Sequence, residues 1–182
     1  MSGRRWLHSR FVREARFRGI ALGLISALLA APRLSASDAA IGVAKATLGG
    51  AQVTIRYGRP KLRGRHPLKM IEPGQVWRMG ADIPTTITSE AALDFGGSTV
   101  PAGTHFLFVR WVDPGLWTLV ISSKPLPQYQ PSTKLAEVPM RLERIRKPAE
   151  EVTISLVRRG ALARLAVSWG TYRLVCSFRR AP

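Results

Sequence analysis

The 182-residue chain carries 28 lysines and arginines against 11 acidic residues, a formal net charge of +17, with 46% hydrophobic residues. A single cysteine, Cys176, excludes an intramolecular disulfide and a cysteine-ligated zinc site. The positive balance favours anionic partners, although arginine-rich, alanine-rich usage (22 Arg to 6 Lys) is also what a GC-rich coding sequence imposes without selection for binding.

Residues Met1 to Arg18 hold six arginines and one glutamate, followed by the apolar run GIALGLISALLAA from Gly19 to Ala31. Those 13 residues would span roughly 20 Å as a helix, short of the ~30 Å of a hydrocarbon core. Pro32 and the small residues Ser35, Ala36 and Ser37 come next. A basic head, a short apolar middle and a small-residue exit predict a secretory signal peptide over residues 1–37, removed on export to the periplasm or the extracellular space. No cysteine lies just after the apolar run, so a lipid anchor at the new N-terminus is not expected; separately, no transmembrane segment is expected in the mature protein. Residues 38–182 are then a single domain of 145 residues at net +11.

From there the dominant period is two. In AQVTIRYG, Val53, Ile55 and Tyr57 face one way and Thr54 and Arg56 the other. THFLFVRWV (Thr104 to Val112) and LWTLVIS (Leu116 to Ser122) are apolar on both faces, and Asp113-Pro114-Gly115 between them predicts a tight turn. LPQYQPSTK (Leu126 to Lys134) predicts a surface loop, and Pro139 and Pro148 make the stretch around RLERIRK (Arg141 to Lys147) an edge strand rather than a helix. VTISLV (Val152 to Val157) and ALARLAVSW (Ala161 to Trp169) predict a hairpin across Arg158-Arg159-Gly160, and Gly170-Thr171 a further hairpin turn into TYRLVCSFRR. In that last segment Tyr172, Leu174, Cys176 and Phe178 share one face, which should bury Cys176. The fold class is all-β, a single antiparallel β-sandwich.

The catalytic inventory is thin. Only His66 and His105 remain after residue 37, no His-x-x-x-His metal spacing exists, and no glycine-rich stretch ends as a phosphate loop does. No catalytic residue, metal or cofactor is assigned. RPKLRGRHPLK (Arg59 to Lys69) alternates cations along an extended loop that runs into GQVWRMGADIPTTIT (Gly74 to Thr88). Guanidinium forks beside an indole face suit a carboxylate, a phosphate or a sugar, while solvated loop charge remains the plainer alternative. Trp77 beside Val76 points to the core, Arg78 to the opposite side, and an Arg78–Asp82 ion pair is expected to brace the bend at Gly80.

YGRPKLRGR, GQVWRMGADIPTTIT and VPAGTHFLF, in this order, resemble the bacterial domain-of-unknown-function family 2911, over about Ala44 to Phe178. The matching positions are Tyr57, Arg59, Pro60, Gly64, Arg65, Val76, Trp77, Arg78, Gly80, Ala81 and Thr86. Asp82 stands where that family usually has Asn, His105 where Tyr is usual, and HPLKM replaces a Phe-Gly. The resemblance implies an exported β-rich domain with no established activity. The expected ligand-binding residues are Arg59, Arg65, Trp77, Arg78 and Asp82, and the expected partner is a small anionic or carbohydrate ligand. Nucleic acid is not expected, because interleaved exposed aromatics are missing. The alternative is a metal-independent periplasmic hydrolase using Asp82 or Asp94 with His105.

Overall fold

The computed structural model describes residues 39–182; the signal-peptide reading of residues 1–37 lies outside the described residues. Ten strands follow: β1 (Ala40–Leu48), β2 (Ala51–Arg59), β3 (Val76–Trp77), β4 (Thr86–Ser89) and β5 (Leu93–Phe95). Then come β6 (Ser98–Val100), β7 (Gly103–Asp113), β8 (Leu116–Ser122), β9 (Lys134–Arg159) and β10 (Leu162–Arg180). Every pairing is antiparallel, in the order β1-β2-β4-β7-β8-β9-β10-β5-β6, with β3 on the flank of β7. No helix among the described residues is long and apolar enough to cross a membrane.

One sheet becomes a sandwich because β9 changes partner along its 26 residues. It pairs with β8 as far as Met140, then with β10 from Arg141 onward. The alternating inward residues of both layers meet in one core, including Val53, Ile55, Leu107, Leu119, Ile154, Leu165 and Phe178. Cys176 joins them at 8% exposure, as its shared face with Leu174 and Phe178 predicts.

The turns explain the hairpins. Gly49 and Gly50 both take positive φ (55° and 85°), the conformation a two-residue β1–β2 loop demands. Asp113 faces Leu116 across Pro114-Gly115, so the expected β7–β8 turn is present. Gly170-Thr171, by contrast, is no turn. Gly170 has φ 58° but sits inside β10 at a register shift against β9. A left-handed glycine in a strand inserts an extra residue and bends it, so β10 curves from one stretch of β9 to the next without reversing. The segment Arg141–Lys147 is strand, as expected, but is the middle of β9 rather than a separate edge element.

The layers are closed on one side by the end of β2. Pro60 accepts a hydrogen bond from the Val152 amide (3.1 Å), and the Leu62 amide donates to Glu150 (2.6 Å). The next backbone groups along that edge of β9 belong to Ile154, and the Tyr57 hydroxyl meets both: it accepts from the Ile154 amide (2.9 Å) and donates to its carbonyl (3.3 Å). Tyr57 reaches them by lying across Gly42, its cross-strand partner, where a Cβ would stand 2.4 Å from the ring.

Candidate functional site

Beyond β2 the chain forms a strap, residues 60–75, that returns to the sheet at β3. Arg63 and Gly64 take positive φ (47° and 70°) while the Arg65 amide donates to the Leu62 carbonyl at 3.0 Å, which makes a tight left-handed turn. The turn puts a cation on either side of itself. Arg59, Lys61, Arg63 and Arg65 line one open cavity of about 540 Å³, with Pro60, Ala39 and Ala81 as its uncharged walls.

The four cations are not equivalent. Arg59 pairs with Glu151 at 3.0 Å, yet its buried Nε–H has no acceptor. Arg65 donates through Nε to Leu62 (3.1 Å) and through Nη2 to Lys61 (2.5 Å), both backbone carbonyls, and its guanidinium lies 5.3 Å from the centre of the Trp169 ring. Lys61 and Arg63 are exposed and make no ion pair among the described residues. Two arginines are therefore oriented by the fold, and two basic side chains stand exposed at the rim.

Of the five expected site residues, the structure brings Arg59 and Arg65 together here. Trp77 is half-buried and stacks on Trp169 (5.6 Å between centroids, 9° between planes), lining a second, apolar cavity. Arg78 is exposed on the opposite side and lines neither cavity. The expected Arg78–Asp82 brace is not formed: no ion pair joins them, and the Asp82 carboxylate instead accepts the Ala39 amide at 3.2 Å. The bend is held by backbone packing. Met79 is fully buried at φ 55°, Asp82 sits at φ 64°, and the Ala81 carbonyl passes so close to Gly58 that a Cβ there would lie 1.8 Å from it. Gly80 is also confined, though less tightly: a Cβ there would lie 2.9 Å from the Gly58 carbonyl oxygen and 3.1 Å from the Thr85 hydroxyl. The Tyr-Gly-Arg-Pro and Trp-Arg-Met-Gly-Ala stretches are thus two halves of one contact.

Sequence reasoning passed over Lys61 and Arg63 as site residues, although their alternation with Arg59 and Arg65 was the available signal. Trp169 carried no signal at all, since it read only as the last residue of the strand Ala161 to Trp169. His105 and the aspartates remain apart. The His105 Nε2 lies 2.9 Å from the Pro101 carbonyl, whereas Asp94 accepts the Gly97 amide (2.7 Å) and Arg179 (2.8 Å). Those two partners, the Gly97 amide foremost, hold the Asp94 carboxyl below its ordinary range. Among the described residues no three His, Cys, Asp or Glu side chains gather as a metal site.

Comparison with curated proteins and with solved structures finds no match. A family model described as a protein of unknown function, DUF2911, matches residues 40–178, from the first residue of β1 to within two residues of the end of β10. The match takes in the Tyr57 closure, the Gly58–Ala81 contact and the basic strap together, and with it the chain belongs to the DUF2911 family.

Proposed function

We propose that this chain is an exported binding module whose ligand presents a small anionic group, a carboxylate, phosphate or acidic sugar, to the cavity beneath the strap. The observation that carries this reading is the convergence of Arg59, Lys61, Arg63 and Arg65 on one open cavity of about 540 Å³. Like charges gathered in a concave surface repel one another and focus a positive potential outward, so an anion relieves the protein as well as binding to it. Glu151 and the strap carbonyls already fix Arg59 and Arg65, which lowers the ordering cost of binding. The unsatisfied Arg59 Nε–H is a donor still in want of an oxygen.

Titration of the purified protein with inorganic phosphate, by calorimetry at low and high salt, tests the reading. Lys61→Ala/Arg63→Ala should weaken binding by about tenfold or more, the scale of two exposed charge-assisted contacts, while leaving stability within about 0.5 kcal/mol. Phosphate affinity that is absent in the native protein, or unchanged in the double variant, removes the proposal. Export is checked separately: mass spectrometry of the secreted form should find a chain beginning near residue 38.

A further inference from the structure

We propose that the anion has an apolar tail, and that the tail enters the slot under the strap, so that the ligand is an alkyl or aryl phosphate or carboxylate. This rests on the anion reading above and adds a second subsite to it. The slot is walled by Leu68 and Ile71 from the strap and by Trp77, Val167, Trp169 and Leu174 from the sandwich, and its surface is almost wholly carbon. It meets the basic cavity at one contact: Arg65 lines the basic cavity while its guanidinium lies over the Trp169 ring, 5.3 Å from its centre. Arg65 thus joins the basic cavity to Trp169, a wall of the apolar slot.

The slot is incomplete as it stands. Trp169 is 5% exposed, and its buried indole N–H has no acceptor. The free space in the slot measures only about 30 Å³, the room of a single water. An apolar tail supplies what the slot's walls pack against, carbon.

Entry requires the strap to rise, and its bonding permits that. From Arg63 to Pro73 its backbone hydrogen bonds are local: Arg65 to Leu62, Lys69 to His66, Met70 to Pro67, Gln75 to Glu72. The links to the sheet lie at the two ends, Leu62 to Glu150 and Gly74 to Trp111. The 3-10 turn Pro67–Lys69 buries no residue completely and has no side-chain cap. Between the ends the roof is held by the Arg65–Trp169 contact, a long His66–Tyr172 hydrogen bond of 3.5 Å and the side chains lining the slot. Lifting it breaks no strand pairing.

The experiment compares inorganic phosphate, phenyl phosphate and hexyl phosphate by calorimetry, with tryptophan fluorescence as a second readout, on the native protein and on Leu68→Trp, which fills the slot from the strap side. Native protein should bind the two organic phosphates about tenfold or more tighter than inorganic phosphate, as burial of several carbons implies, with a change in indole emission. Leu68→Trp should erase that advantage and leave inorganic phosphate binding as it was. Equal affinity for all three ligands overturns the tail while leaving the anion site standing. An advantage that survives in Leu68→Trp places the tail elsewhere and overturns the slot. Absence of binding by any of the three refutes both readings together.

Discussion

Tyr57→Phe removes one oxygen and tests whether that oxygen closes the sandwich. The side chain is 3% exposed, and its ring lies on Gly42, a position Phe retains. What disappears is the partner of two backbone groups at the edge of β9: the Ile154 amide at 2.9 Å and the Ile154 carbonyl at 3.3 Å. A buried donor left unsatisfied costs about 1–3 kcal/mol, and the longer carbonyl bond adds less because an oxygen tolerates an empty lone pair better. The expected loss is about 2 kcal/mol, or about 4–8 °C in Tm for a domain of this size. Urea unfolding should show the midpoint move with the slope unchanged. A loss under about 0.5 kcal/mol would refute the closure role. Gly42→Ala supplies the control, since its Cβ cannot coexist with the ring as placed and must push the hydroxyl off Ile154. In the Tyr57→Phe background Gly42→Ala should therefore cost less than it does alone, by the share of those two hydrogen bonds.

Gly58→Ala should be more damaging than ordinary overpacking, about 3 kcal/mol or more, because its Cβ meets backbone at Ala81 rather than a side chain that can turn away; near-native stability in chemical denaturation contradicts the packing described. Glu137 accepts from Arg110, Thr118 and Lys134; burial alone would raise its pKa, but these donors together hold it below the ordinary 4.5. The folded state thus favours the carboxylate, and its contribution is complete above pH 4.5 and lost as the pH falls through the lowered value. Glu137→Gln should be less stable at pH 7 and should flatten the acid limb of a stability–pH profile, an unchanged slope being the contrary result. Burial pushes the Cys176 thiol up to about 12, so a thiol reagent at pH 8 should label it slowly in the native protein and rapidly in denaturant.

The strands were legible because side-chain alternation and turn residues act locally. Val53, Ile55 and Tyr57 faced the core as their spacing required, and Pro114-Gly115 made the turn that its backbone preferences dictate. Gly170 shows where that logic stops. A left-handed glycine suits a hairpin and a bulge equally, and only the length of β9 opposite it decides between them. The Arg78–Asp82 brace failed for a related reason. Opposite charges four residues apart are an invitation to pair, but Met79 and Asp82 both take left-handed backbone, and the bend is set by what Gly58 and Gly80 allow to pass. Long-range contacts between glycines and carbonyls leave no trace in composition or period.

The position of Asp82 shows how scaffold and site are divided in this chain. The aspartate stands where the resemblance noted in the sequence leads one to expect asparagine, and its backbone, at φ 64°, is of the left-handed kind that both residues adopt more readily than others. Its side-chain oxygen receives the Ala39 amide, a bond that an asparagine oxygen also accepts. An asparagine would therefore suit the same turn and keep the bond to Ala39. The exchange also removes a negative charge one residue from Ala81, a wall of the basic cavity. Asp82→Asn should accordingly keep the turn and the Ala39 bond and, by removing that charge, strengthen phosphate binding at low salt by an increment that 0.5 M salt abolishes, since screening at such concentrations acts within several ångströms. A stability loss without any change in binding would instead assign the carboxylate to the scaffold.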